Sequence, residues 1–382
     1  MRDFPLRSWV PVWSARKVSR GALALFAGAA GLLAAPGASH AYCPSQAPDT
    51  SNDLALECLI GQRKTGESAS PTLREQSNYR SLLSELSTVL AVPVLHPADT
   101  VGFTGYHFSF DTTVTTISRD AEYWSGVANN GDRVGAGVRH VSGSALPVFS
   151  VMLRKGMWLP IPPLPSVELG VGASNLLYSG IFGLNGYLKL ALHEGYHFKW
   201  MPSFALRGAA TRVAGASQVD LTILSADAMI SKAFGIAGTF TLQPYLGGGV
   251  QFSIVRSQVI DTAPTEDLYR GPLTGPPLTD AQRVAALDRK IIFPTQDNIL
   301  RWRAFAGLEA DYAILAVNAS FAYYGAGQDS GFDINSLPTP AQAQNGAPGQ
   351  SPACRVGPNG TVCPKDIAAA QYQIAVGLGL RF

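Results

Sequence analysis

Residues 371–382 read QYQIAVGLGLRF. Tyr372, Ile374, Val376, Leu378, Leu380 and Phe382 occupy every second position, and Gln371, Gln373, Ala375, Gly377, Gly379 and Arg381 fill the places between them. A period of two is the signature of a strand, whose successive side chains point to opposite faces. Here one face is large and apolar while the other is small or polar, which fits a strand with lipid on one side and a polar interior on the other. The same split recurs upstream. In ILRWRAFAGLEADY (299–312), Leu300, Trp302, Ala304, Ala306 and Leu308 stand against Arg301, Arg303, Phe305, Gly307, Glu309 and Asp311. In YHFSFDTTV (106–114), Tyr106, Phe108 and Phe110 stand against His107, Ser109 and Asp111.

Ten such segments are expected, near 103–117, 146–159, 166–176, 183–193, 198–211, 218–231, 239–259, 298–310, 313–325 and 370–382. Lipid offers no hydrogen bonds, so strands with one apolar face must close on themselves and leave no edge. The fold class is therefore all-β: a transmembrane antiparallel up-and-down barrel of about ten strands over 101–382. The sixth segment alternates poorly and sets Asp220 or Asp227 awkwardly, which points to a bulge there or a miscounted strand. Long polar links follow strands one, seven and nine, and short links follow strands two, four, six and eight, the alternation of long outer loops with short inner turns. A β-sandwich would also show period two but has no need of the terminal aromatic strand.

This register turns Asp111, Arg154, Glu168, Lys189, Arg207, Arg301, Arg303, Glu309 and Asp311 inward, placing both signs of charge in one narrow lumen. Two readings follow. The charges pair and hold the interior shut, or they line a polar path in which Arg301 and Arg303 set the sign of a small polar solute.

The start of the chain reads as an address. Arg2, Arg7, Arg16, Lys17 and Arg20 precede GALALFAGAAGLLAA and a small-x-Ala site at Ser39–Ala41, so residues 1–41 are expected to be a cleaved signal peptide. Its removal takes 29 basic and 27 acidic residues to 24 and 26, a net charge of −2 in place of +2. That leaves no basic footprint for nucleic acid. The four cysteines fall in two close pairs, Cys43 with Cys58 and Cys354 with Cys363, and the local disulfides are the pairings favoured in an exported chain. With 39 glycines, 15% charged residues and no second apolar run of 18 or more, the chain is neither a helical membrane protein nor an ordinary soluble enzyme.

Residues 42–100 form a separate N-terminal segment. Tyr79, Leu82, Leu83, Leu86, Val89 and Leu90 follow the helical repeat, predicting an amphipathic helix over about 71–92 that Pro93 and Pro97 bring to an end. It lies in the periplasm, docks a partner or plugs the lumen; its apolar stripe has to be buried in any case.

A signal, the dyad repeat and a closing strand ending in Phe382 together resemble the bacterial outer-membrane β-barrel proteins, small porin-like barrels included, over residues 101–382. The resemblance implies an outer-membrane location in a Gram-negative-type bacterium and contact with outer-membrane lipid. It also implies that the barrel-assembly machinery reads the strand carrying Tyr372, Ile374, Val376, Leu378, Leu380 and Phe382. Trp200, Tyr312 and Phe382 would girdle the inner interface, and Phe252, Tyr323 and Tyr372 the outer one.

One motif argues for chemistry. His193, Glu194 and His197 in LKLALHEGYHFKW (188–200) spell the H-E-x-x-H pattern of zinc peptidases, in which two histidines one helical turn apart share a metal. Leu184, Leu188, Leu190 and Leu192 instead alternate as a strand, and Gly195 suits a turn, so the motif is expected to be an inner hairpin without metal. The ten-stranded omptin surface proteases carry Asp and His at the outer rim, but here His140 stands alone in the first long link. The reading is a non-enzymatic barrel without cofactor, a narrow pore or a surface-exposed component; the alternatives are a closed structural or adhesion barrel and a secreted zinc metallopeptidase.

Overall fold

The structure is a computed structural model that describes residues 52–60, 71–127, 143–157, 166–194, 200–236, 239–261, 290–328, 355–357, 360–362 and 364–382. Ten long strands, with a three-residue piece at Phe234–Ile236 paired to Phe240–Leu242, form one antiparallel sheet: β1 (Tyr106–Thr116), β2 (Ala145–Met157), β3 (Ser166–Leu176), β4 (Phe182–His193), β5 (Ser203–Ala214), β6 (Val219–Ser231), β7 (Phe240–Ser257), β8 (Gln296–Tyr312), β9 (Leu315–Tyr324) and β10 (Gln371–Arg381). Each strand pairs with the next in sequence, and β10 returns to β1 through His107↔Arg381 to Thr115↔Gln373, so the sheet is a closed barrel with no free edge.

Alternation decides which way each side chain points. On the outer face Leu169, Val171, Leu184, Leu188, Leu246, Val317, Ile374, Val376 and Leu378 are all exposed, an apolar belt far beyond what a surface facing water carries. Trp200, Tyr312 and Phe382 are exposed at the end with the short links. At the other end Tyr323 lies between Trp302 and Tyr372, with ring centroids 5.3 and 5.4 Å away, while Phe252 is half-buried.

The sixth strand corrects the expected bulge. Its register runs unbroken against β5 and β7, and the irregularities fall elsewhere, between Ala191 and His193 on β4 and between Gln296 and Ile299 on β8. The poor alternation has another cause: Val219, Leu221 and Ile223 point inward and are buried in an apolar cluster, because the interior at the long-link end is itself apolar. Asp220 points outward and pairs with Arg212, whereas Asp227 points inward. Strand five begins at Ser203 rather than near 198.

The apolar cluster has an occupant. Helix α1 (Leu73–Leu90) sits inside the barrel, opened by a capping box in which Thr72 Oγ1 accepts from the Glu75 N–H and the Glu75 carboxylate from the Thr72 N–H. It ends at Ala91, extended just before Val92-Pro93, where α geometry is disfavoured. Its apolar stripe, Tyr79, Leu82, Leu83, Leu86, Val89 and Leu90, packs on Leu146, Val148, Leu176, Val213, Leu221, Ile223 and Val255 of the wall. The polar side is buried as well, since Arg80, Ser81, Ser84, Glu85, Ser87 and Thr88 are all at or near zero exposure. A helix read as amphipathic therefore meets a wall that is apolar on one side and polar on the other.

Candidate functional site

After α1 residues 91–101 run through the short-link half of the lumen as neither helix nor strand, with bends at Ala91, His96, Ala98 and Asp99. This thread can neither form a helix nor join the sheet, because Pro93 and Pro97 lack the N–H that either ladder needs. Its carbonyls still require donors in a space without bulk water. The wall supplies them. Arg303 Nη1 donates to the Val92 carbonyl at 3.4 Å, Arg207 Nη2 to Pro93 at 3.1 Å and Tyr245 Oη to Val94 at 3.1 Å. Lys189 Nζ donates to the carbonyls of Pro97 at 3.0 Å and Asp99 at 2.7 Å.

The cations that hold the thread are themselves held by carboxylates on neighbouring strands. Glu168 on β3 is fully buried and accepts from Arg154 Nε at 3.1 Å, Tyr187 Oη at 2.7 Å and the Val101 N–H at 3.0 Å, with Lys189 Nζ at 3.1 Å. Asp227 on β6 takes a bidentate pair of hydrogen bonds from Arg303 at 2.8 and 2.7 Å, and Arg207 stands 3.5 Å from it with its guanidinium over the Tyr187 ring. Such planar two-point pairing suits a buried Arg–carboxylate bridge. Near the short-link end Glu309 meets His96 at 3.1 Å, and Arg381 joins Asp311 at 3.0 Å.

All nine residues assigned to the lumen turn inward, but they do not form one site. Arg154, Glu168, Lys189, Arg207 and Arg303 anchor the thread. Arg301 serves α1, donating to Ser84 Oγ at 3.2 Å and to the Ala369 carbonyl at 2.8 Å. Glu309 and Asp311 face the short-link mouth, and Asp111 is buried against β10, bonded to Ser109 at 3.1 Å. Arg301 and Arg303 are thus spent on protein partners rather than free to set the sign of a solute. The cavity between the thread at Pro93–His96 and Tyr187, Lys189, Arg207 and Met229 has a volume of about 10 Å³, room for about one water.

A second cluster stands at the long-link end. Glu85 of α1 accepts from Tyr123 Oη at 2.6 Å, Trp124 Nε1 at 2.8 Å, the Ser118 N–H at 3.0 Å and the Ala369 N–H at 3.2 Å. Burial, reinforced by the Glu85 charge, pushes the Tyr123 phenol above its usual range. Asp366, in the segment leading into β10, is also raised by burial.

His193 is the last residue of β4, so the helical turn a zinc peptidase needs is not formed at its first ligand. Glu194 is buried and committed to Thr100, accepting from its N–H at 2.9 Å and its hydroxyl at 2.7 Å. His197, Cys43, Cys354, Cys363 and residues 1–41 lie outside the described residues, and Cys58 is not a free thiol.

Sequence patterning missed Asp227, Tyr187, Tyr245, Glu85 and the thread. Asp227 carried a signal, an acid at an inward position beside inward arginines. The thread carried one too: an apolar stretch with two prolines and no strand or helix period.

No family model matches the chain, and no curated protein matches it. Among solved structures it is similar to Neisserial surface protein A (10% identity, 72% of this chain and 97% of that one, TM-score 0.24). It is also similar to Ail, the attachment invasion locus protein of Yersinia pestis (9% identity, 74% and 100%, TM-score 0.23), and to the transport unit of the autotransporter AIDA-I from Escherichia coli (9%, 80% and 99%, TM-score 0.29). The barrel assignment rests on this chain's own closed ladder.

Proposed function

We propose that the protein is an outer-membrane β-barrel held shut by its own N-terminal segment, a non-catalytic surface component rather than an open pore. One observation carries this reading: the thread carbonyls of Val92, Pro93, Val94, Pro97 and Asp99 are each met by a buried wall donor. Hydrogen bonds from charged donors contribute about 1.5–3 kcal/mol each. Several of them in one lumen make withdrawal of the thread a rare event. The exposed apolar belt supports a lipid setting, and the long links then face the exterior, as loop lengths in this class of barrel dictate. In the same reading residues 1–41 are removed on export, and strand 371–382 is the part that barrel-assembly machinery engages.

A second reading, conduction of a small polar solute once the thread is displaced, is favoured by unpaired hydroxyls on β1–β3. Thr113, Ser150 and Ser174 on β1–β3 are buried, and their side-chain hydroxyls make no hydrogen bond to protein. Such groups favour a hydrated lumen. The test is planar-bilayer recording of the intact chain, with outer-membrane fractionation and the gel shift between unboiled and boiled protein as controls for folding. Silent bilayers with a clear gel shift support the closed barrel. Steady single-channel steps from the intact chain would overturn it in favour of the pore.

A further inference from the structure

The path of the chain through its own barrel settles which end its N-terminal segment occupies. The first turn of α1 lies at the long-link end, where Arg74 Nη2 donates to Glu122 of the β1–β2 link at 2.6 Å. Ser77 and Ser81 hydroxyls there accept from the N–H groups of Lys365 and Ile367, just ahead of β10. The thread leaves at the other end, where Thr100 bonds Glu194 and Tyr106 exchanges backbone hydrogen bonds with Phe382. The chain thus crosses the full length of the lumen before it lays down its first strand.

What precedes α1 is fastened on the same side as its first turn. Asn52 donates from its N–H to the Tyr178 carbonyl at 2.6 Å and from its side chain to Leu177 at 2.8 Å, and Asp53 accepts from the Gly180 N–H at 2.7 Å. Leu54 bridges Val127. Leu56 N–H donates to Gln218 Oε1, whose amide donates onward to Glu57, both at 2.7 Å. Three separate links, β1–β2, β3–β4 and β5–β6, therefore grip residues 52–57.

We infer that the barrel carries its own N-terminal segment through the lumen and presents it on the cell surface, on the opposite side of the membrane from Phe382. The inference rests on the outer-membrane reading above for the identity of the two sides. It assigns the chain a display role that a periplasmic N-terminal domain would not have. A helix with side chains is about 10–12 Å across. The thread, tied to Arg207, Tyr245 and Arg303, occupies the path that such a helix would need, so the segment crosses before or while β1 and β10 close the barrel.

Three single cysteines test this, each labelled with a membrane-impermeant maleimide on intact cells and in lysates, with the parent chain as blank and the gel shift on boiling as the fold control. Arg74→Cys reports the start of α1, Tyr178→Cys the β3–β4 link and Ile314→Cys the β8–β9 link; the native side chains at 178 and 314 are 77% and 59% exposed. The expected result is equal labelling of Arg74→Cys and Tyr178→Cys in intact cells and lysates, with loss of Ile314→Cys labelling in intact cells. Labelling of Tyr178→Cys without Arg74→Cys on intact cells overturns the display while leaving the outer-membrane reading standing. Labelling of Ile314→Cys alone reverses the barrel, and no labelling of any on intact cells removes it from the surface; both overturn the reading and the inference together.

Discussion

Glu168 is the residue on which the interior depends most. Two buried cations, a phenol and a backbone N–H converge on its carboxylate. Glu168→Gln removes the charge and leaves Arg154 and Lys189 buried without their counter-ion, a loss of about 3–5 kcal/mol. Asp220→Asn breaks only the outward pair with Arg212, partly exposed, and costs about 1 kcal/mol or less. Urea midpoints of the folded band in micelles separate the two; equal midpoints would deny the inner network its role. Asp366 gives a pH dependence of definite sign. Burial raises its folded pKa above the ordinary carboxylate value, so the folded chain binds the proton more tightly than the unfolded one. Stability from this group is complete below the ordinary carboxylate range and falls as pH rises through the raised value. Asp366→Asn keeps an oxygen for the Ala368 N–H and loses the titration. The melting midpoint of Asp366→Asn should therefore exceed that of the parent by more at neutral pH than at about pH 4.

At the scale of elements, α1 behaves as a core helix of the barrel rather than a surface helix. Leu82 is fully buried, and its Cδ2 lies against Gly126 so closely that a Cβ at that glycine would come within 2.7 Å. Leu82→Ala opens a cavity there and should cost about 2–5 kcal/mol. Thr72→Ala removes one half of the capping box and should cost about 1 kcal/mol. Thermal melts of the folded band rank them, and a Leu82→Ala midpoint at or above that of Thr72→Ala would place the helix outside the core. The strands were legible in the sequence because their period survives in lipid: apolar residues face out along β10 from Tyr372 to Leu380. The helix was legible for the same reason, through its 3.6 period. What the period could not give was the partner of each face. Val219, Leu221 and Ile223 blur the alternation of β6 because they serve α1, a contact between residues far apart in the chain. The glycine content had a physical use beyond turns: a Cβ on Gly170, Gly247 or Gly307 would strike the rings of Tyr187, Phe305 or Tyr245 on the neighbouring strand. Of these rings, Tyr187 points its hydroxyl at Glu168 and Tyr245 at the Val94 carbonyl of the thread.

At the scale of the molecule, wall and thread have separate tasks, and removing one should reveal the other. The barrel ladder closes through β1 and β10 without using any residue before Tyr106. A chain lacking residues 42–99 therefore keeps all ten strands, and its gel shift on boiling should persist. Its lumen would lose both α1 and the thread and fill with water, since the exposed wall is polar at His107, Asp111, Ser150, Glu168, Lys189 and Gln251. Channel steps should then appear in bilayers where the intact chain is silent. Their ion preference follows from the inward charges. Arg154, Lys189, Arg207, Arg301, Arg303 and Arg381 stand against Asp111, Glu168, Glu194, Asp227, Glu309, Asp311 and Asp366, a near balance, and the closest of them remain paired across strands. Balanced, paired charges focus little net field. The open lumen should discriminate weakly between cations and anions, with a reversal potential near zero in a salt gradient. A strong anion preference would mean that the arginines do not stay paired with Glu168 and Asp227 once the thread is gone, and that the thread, not the wall, fixes the interior.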